Sequence, residues 1–139
     1  MDIHRQREWL IVSETSRDIV KIAMEGFCGT MSPAEFVEHF WVGRAVCIAT
    51  LSGQKVTAAR LAKLLGMKRN KVVRKLGYLV GRGFVLKDGP HYAVAEGFYS
   101  AGEEALNKSI SLIIEAGNKL IALSKMDSKL KLPLYINAA

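Results

Sequence analysis

Between Val56 and Val85 the chain reads VTAARLAKLLGMKRNKVVRKLGYLVGRGFV, the stretch that most restricts what it can fold into. Its first half predicts a short helix. Thr57 can cap the N-terminus, and Leu61, Ala62, Leu64 and Leu65 supply apolar positions. Gly66 stands where a left-handed residue would end that helix without steric cost. Beyond it, Val72, Leu76 and Leu79 recur in steps of four and three, so a second helix buries that stripe. Two short helices joined by a Gly-containing turn make a helix-turn-helix unit. Ala62 is small, which lets the second helix cross the first closely.

The remaining side chains of the second helix carry the chemistry. Lys68, Arg69, Asn70, Lys71, Arg74, Lys75 and Tyr78 are read as falling off the apolar stripe and facing outward. Arg and Lys can donate to phosphates or guanine edges, and Asn can pair bidentately with adenine. The plainer reading is a solvated helix face, but such faces mix their signs. From His39 to Lys87 there are eleven Lys or Arg residues and no Asp or Glu. The rest of the chain carries nine basic residues against all thirteen acidic ones, so the net charge of +7 is concentrated here. Together with Thr57, Arg82 and Lys87, these seven residues form the expected double-stranded DNA contact set.

The flanking segments complete a mainly α layout with a small β-hairpin. Residues 7–28 read as an N-terminal helix with Leu10, Ile19, Val20, Ala23 and Phe27 on its apolar side, interrupted by a polar patch at Ser13–Ser16. Ser32 caps the next helix, with Pro33 in its first turn and Glu35 three residues after the cap. Phe36, Phe40, Val46 and Ile48 carry this helix to about Leu51, and its apolar circumference predicts a central buried helix. After Gly83 the period changes. Phe84–Leu86 and Tyr92–Val94 read as two short strands around Asp88, Gly89 and Pro90. From about Ser100 to Lys125 a long helix returns, with Leu106, Ile110, Ile113, Gly117 and Leu120 spaced as a helix-on-helix seam. Leu112, Ile114 and Ile121 widen that surface, and a second copy of the chain is the economical partner for it. The apolar tail (Leu130, Leu132, Leu134, Tyr135, Ile136) is expected to pack on the same dimer.

Ala62, Gly66 and Val72, spaced four and then six residues apart, resemble the core signature of helix-turn-helix DNA readers. LAKLLGMKRNKVVRKLGYLVGRGFV also resembles the AxxLGxSxxTVTRxxxxLxxxGLV stretch of the MarR family of bacterial transcription regulators. The resemblance covers nearly the whole chain in layout and residues 56–86 in motif. It implies one winged helix-turn-helix domain over 1–139, with a core at 33–95, an N-terminal dimerisation helix and a C-terminal dimerisation helix and tail at 99–139. It further implies a homodimer on a pseudo-palindromic operator, with the recognition helix at about 68–82 in the major groove. By the same resemblance Lys68, Asn70, Lys71 and Arg74 face DNA. The chain departs from the family in its short hairpin turn, Lys87 to His91, which lacks an Asp-x-Arg element, and at Val73 and Lys75. Many relatives respond to small aromatic or anionic effectors. Trp9, His39, Trp41 and Arg44 are the residues here that could line such a site, and nothing in the sequence separates them from core and rim.

Other classes are disfavoured. His4, His39 and His91 are scattered, and no metal-ligand cluster, phosphate loop or nucleophile motif accompanies them, so neither an enzyme nor a cofactor is expected. No run approaches the roughly 18 apolar residues of a membrane span, and MDIHRQREWL is not a secretory signal. A cytoplasmic protein is expected, with Cys28 and Cys47 as buried reduced thiols; redox sensing at Cys28 is the lesser alternative. The rival to DNA binding is a winged-helix dimer that acts as a protein-interaction scaffold.

Overall fold

In the computed structural model, which describes residues 2–126, the element order is α1 (Ile3–Phe27), α2 (Pro33–Leu51), β1 (Val56–Thr57), α3 (Ala58–Leu65), α4 (Arg69–Gly81), β2 (Val85–Asp88), β3 (His91–Val94) and α5 (Glu96–Ser124). The fold is mainly helical with one small antiparallel sheet, ordered β1-β3-β2. The tail residues Leu130, Leu132, Leu134, Tyr135 and Ile136 lie outside the described residues. Two compact units emerge, Met24–Glu103 and, separately, the residues up to Ala23 with those from Glu104 on.

Local chemistry sets the helix ends in the Met24–Glu103 unit. The Glu35 N–H donates to Ser32 Oγ (3.2 Å), and Pro33 occupies the first turn, where a missing N–H costs nothing. The Arg60 N–H donates to Thr57 Oγ1 (3.2 Å), which starts α3. Gly66 closes α3 in the left-handed conformation (φ 64°, ψ 29°). Lys68 starts α4 from an extended conformation without a side-chain cap.

The core of this unit forms where α2, α3, α4 and the sheet converge. Phe36, Val42, Val46, Leu61, Val72, Leu76 and Val85 are its most fully buried side chains, each stabilising by roughly 1.5–3 kcal/mol. Thr50 at the end of α2 ties helix to sheet: its Oγ1 donates to the Val46 carbonyl (2.8 Å) and accepts from the Val94 N–H (3.0 Å). Phe27 stacks on Phe98 (5.0 Å between centroids) and meets Phe84 edge-on (5.3 Å).

Several expectations change. Strand β1 was not foreseen; it pairs Val56 with Tyr92 and Thr57 with His91 and makes β3 the central strand. Strands β2 and β3 reach Asp88 and His91, so only Gly89 (φ 57°) and Pro90 form the turn. Helix α2 is not buried all round. Phe36, His39, Val42, Gly43, Val46 and Cys47 face the core, while Trp41 and Ile48 are 53% and 60% exposed on the other side. The sequence is apolar on both faces, and the described residues bury one of them. Cys47 is buried, but Cys28 is only half-buried, with Sγ donating to the Met31 carbonyl (3.0 Å).

In the other unit, α1 begins earlier than expected because Asp2 caps it, accepting from the N–H groups of His4 (2.7 Å) and Arg5 (3.3 Å). The polar patch lies within one continuous helix. Thr15 and Ser16 donate their hydroxyls back to the Ile11 and Val12 carbonyls (both 2.7 Å), which satisfies them within the helix. Ala23 and Leu123 are the buried residues here. Leu106, Ile110, Ile113, Ile114 and Ile121 of α5 stay exposed in the single chain, and Gly117 and Leu120 are half-exposed. Among the described residues, no helix is long and apolar enough to cross a membrane.

Candidate nucleic-acid interface

Helix α4 orders the candidate site by its period. Val72, Lys75, Leu76 and Leu79 form the buried stripe, and the side opposite carries Asn70, Arg74, Gly77 and Gly81, spaced four, three and four residues apart. Lys68 at the N-cap and Arg69, Asn70 and Arg74 within α4 are all exposed, so the N-terminal half of the helix presents three cations and one amide to solvent. No acid of the described residues pairs with any of these four within ion-pair distance. Such a face can donate to phosphates along its edges and to base edges at its centre.

Two residues of the expected set are drawn toward α2, Lys75 wholly and Tyr78 in part. Lys75 lies three residues after Val72 and four before Leu79, and therefore on the buried stripe itself. Its side chain is 9% exposed, and Nζ sits 3.2 Å from Glu38 Oε2 of α2. A buried ammonium needs such a partner, because isolated burial of its charge is costly. Tyr78 also turns toward α2. Its ring meets His39 edge-on (4.7 Å between centroids), and its hydroxyl accepts from Arg82 Nη1 (2.9 Å). Lys75 is thus buried away from the surface, and Tyr78 is half-buried.

The others divide by environment. Lys71 is half-buried on the flank of α4, with Nζ 2.8 Å from Glu38 Oε1. Thr57 works as the α3 cap, its oxygen accepting from Arg60. Arg82 is exposed, yet its guanidinium lies 4.9 Å over the Phe84 ring and 5.9 Å from that of Tyr78. Lys87 on β2 is exposed, with Nζ 5.9 Å from the ring of its cross-strand partner Tyr92.

Glu38 is the site residue that sequence reasoning missed. It lies one position before the acid-free segment that begins at His39, and the crossing of α2 over α4 brings it onto two of that segment's lysines. Those ammonium groups, Lys71 first and then Lys75, hold its carboxyl below the usual carboxylate range. Burial pushes the neighbouring His39 imidazole below its ordinary value, opposed by its hydrogen bond to the Glu35 carbonyl (2.8 Å). A neutral ring bonded there through Nδ1–H fits its packing under Tyr78.

The candidate effector residues do not share a cavity. His39 and Arg44 border a small apolar hollow with Phe27, Phe36, Phe40 and Leu79, but Trp9 and Trp41 do not line it. Its volume of about 40 Å³ holds a water or two and not an aromatic ligand. Comparison of the chain with protein-family models and with curated proteins finds no match.

Proposed function

We propose that this chain is a MarR-like winged helix-turn-helix transcription regulator of the cytoplasm, binding double-stranded DNA as a homodimer. In this reading α3 and α4 are the helix-turn-helix pair, α4 is the recognition helix, and the β2–β3 hairpin is the wing. The observation that carries it is the exposed cluster Lys68, Arg69, Asn70 and Arg74 at the N-terminal end of α4, unpaired with any described acid. An amide flanked by guanidinium and ammonium groups on an exposed helix matches what a major groove presents: acceptors on guanine and adenine, with phosphates at the rim. The open apolar run Leu106, Ile110 and Ile113 on α5 supports the dimer, since a second copy would bury it along with Gly117 and Leu120.

Selection from a pool of random duplexes tests this reading. A dimeric reader enriches two related half-sites in inverted orientation, with centres about one helical turn, roughly 10–10.5 base pairs, apart. Enrichment of nothing, or of unrelated sequences equal to the starting pool, would favour the scaffold alternative.

A further inference from the structure

We propose that Glu38 is an internal counter-anion of α4, balancing the buried Lys75 and taking on Lys71 the place that a DNA phosphate would otherwise occupy. The inference rests on the DNA-binding reading above. It leaves the helix offering DNA the cations of Lys68, Arg69 and Arg74, while Lys71 and Lys75 are withheld.

The geometry is that of a split carboxylate. Lys71 and Lys75 stand one turn apart on the flank of α4 that faces α2, and Glu38 gives one oxygen to each, at 2.8 Å and 3.2 Å. The three side chains together carry one net positive charge, and of the two lysines Lys75 is buried and Lys71 half-buried. A phosphate approaching Lys71 would meet the Glu38 carboxylate beside it, and like charges so close repel. Glu38 is ionised at neutral pH, because both lysines favour its charged form. Lys75 also explains why an acid stands there at all, since a buried ammonium without a partner would destabilise the fold. The carboxylate that Lys75 requires then holds Lys71 as well. Lys71 is thereby a positioning residue that helps fix α4 on α2, in contrast to the DNA contact expected of it from the sequence.

The test is fluorescence anisotropy of labelled selected and random duplexes over a salt series, with full-length wild type, Lys71→Gln, Arg74→Ala and Glu38→Gln. Lys71→Gln should leave affinity nearly unchanged, while Arg74→Ala lowers it on the selected site. Glu38→Gln frees Lys71, so it should bind both duplexes more tightly, with a salt slope steeper by about 0.9 per protomer. A purely structural role for Glu38 predicts the reverse, weaker binding. Because Glu38→Gln leaves Lys75 buried without a counter-charge, the double variant Glu38→Gln with Lys75→Met removes both charges, and it should show the same steeper slope. A Lys71→Gln loss as large as that of Arg74→Ala, or an unchanged slope in the folded Glu38 variants, overturns the counter-anion. Wild type that binds no duplex at low salt overturns the DNA reading itself, and this inference with it.

Discussion

Helical period accounts for Lys75 better than its residue type does. A stripe counted through apolar residues alone passes over it, yet its distance from Val72 and Leu79 puts it on the buried side, where Glu38 balances it. The same corner makes the fold acid-sensitive. His39 is held neutral by burial, and the charged groups around it are Lys75 of α4 and Glu35 and Glu38 of its own helix. Its folded-state pKa lies below the ordinary 6.5. The unfolded chain therefore binds the proton first on acidification. The stability gained from the neutral ring is complete above pH 6.5 and is lost as pH falls through the folded value. Glu38, also depressed, acts in the same direction at lower pH, through and below its ordinary 4.5. Urea unfolding midpoints should fall between neutral pH and about pH 5, and His39→Gln should flatten the upper part of that fall. Midpoints of the wild type that do not move over this range would contradict the burial argument.

At the scale of elements, the parts legible in the sequence were those fixed by neighbours in the chain. The caps Ser32 and Thr57 and the helix-ending Gly66 each act within a few residues, and the structure has all three in those places. Strand β1 was not legible because two residues, Val56 and Thr57, hold no alternation; only pairing with Tyr92 and His91 makes them a strand. Glu38 was not legible as a site residue because its partners lie more than thirty positions away, across a helix crossing. The outward set holds for Asn70 and Arg74, where exposure follows from the period, and for Lys68 and Arg69, which are exposed because they stand at the start of α4. It fails for Lys75, which is buried, and in part for Tyr78, which is half-buried. Glycines give the sharpest element-scale prediction. A Cβ on Gly77, inside α4, would meet nothing within 4 Å, so Gly77→Ala should raise unfolding free energy by about 1 kcal/mol. A Cβ on Gly97, in the first turn of α5, would lie 2.5 Å from the Gly83 carbonyl oxygen. Backbone cannot yield as a side chain can, so Gly97→Ala should destabilise. Chemical denaturation of both variants checks the pair, and opposite signs are expected.

For the molecule as a whole, the question is what covers the open face of α5. Ile113 is 57% exposed in the single chain, with Leu106 and Ile110 exposed beside it in the same seam. If the seam joins two copies, Ile113→Asp places a charge in an apolar contact and should convert the dimer to monomer or to aggregate, as read by sedimentation velocity. A wild type that sediments as a monomer would contradict the proposed assembly.

The central claim is that one exposed side of α4 reads DNA, and Arg74 tests it most directly. Its side chain is exposed, lies opposite the Val72, Leu76 and Leu79 stripe, and has no ion-pair partner among the described acids. Replacing it should leave the fold intact. Titration of wild type and Arg74→Ala against the selected site and a scrambled duplex, over a range of salt, separates the alternatives. The account predicts that wild-type log affinity falls with log salt by about 0.9 for each phosphate neutralised. It also predicts that Arg74→Ala loses roughly 1–3 kcal/mol on the selected site and relaxes preference at one base position per half-site, with a smaller loss on the scrambled duplex. A flat salt response, or small and equal losses on both duplexes, would contradict it.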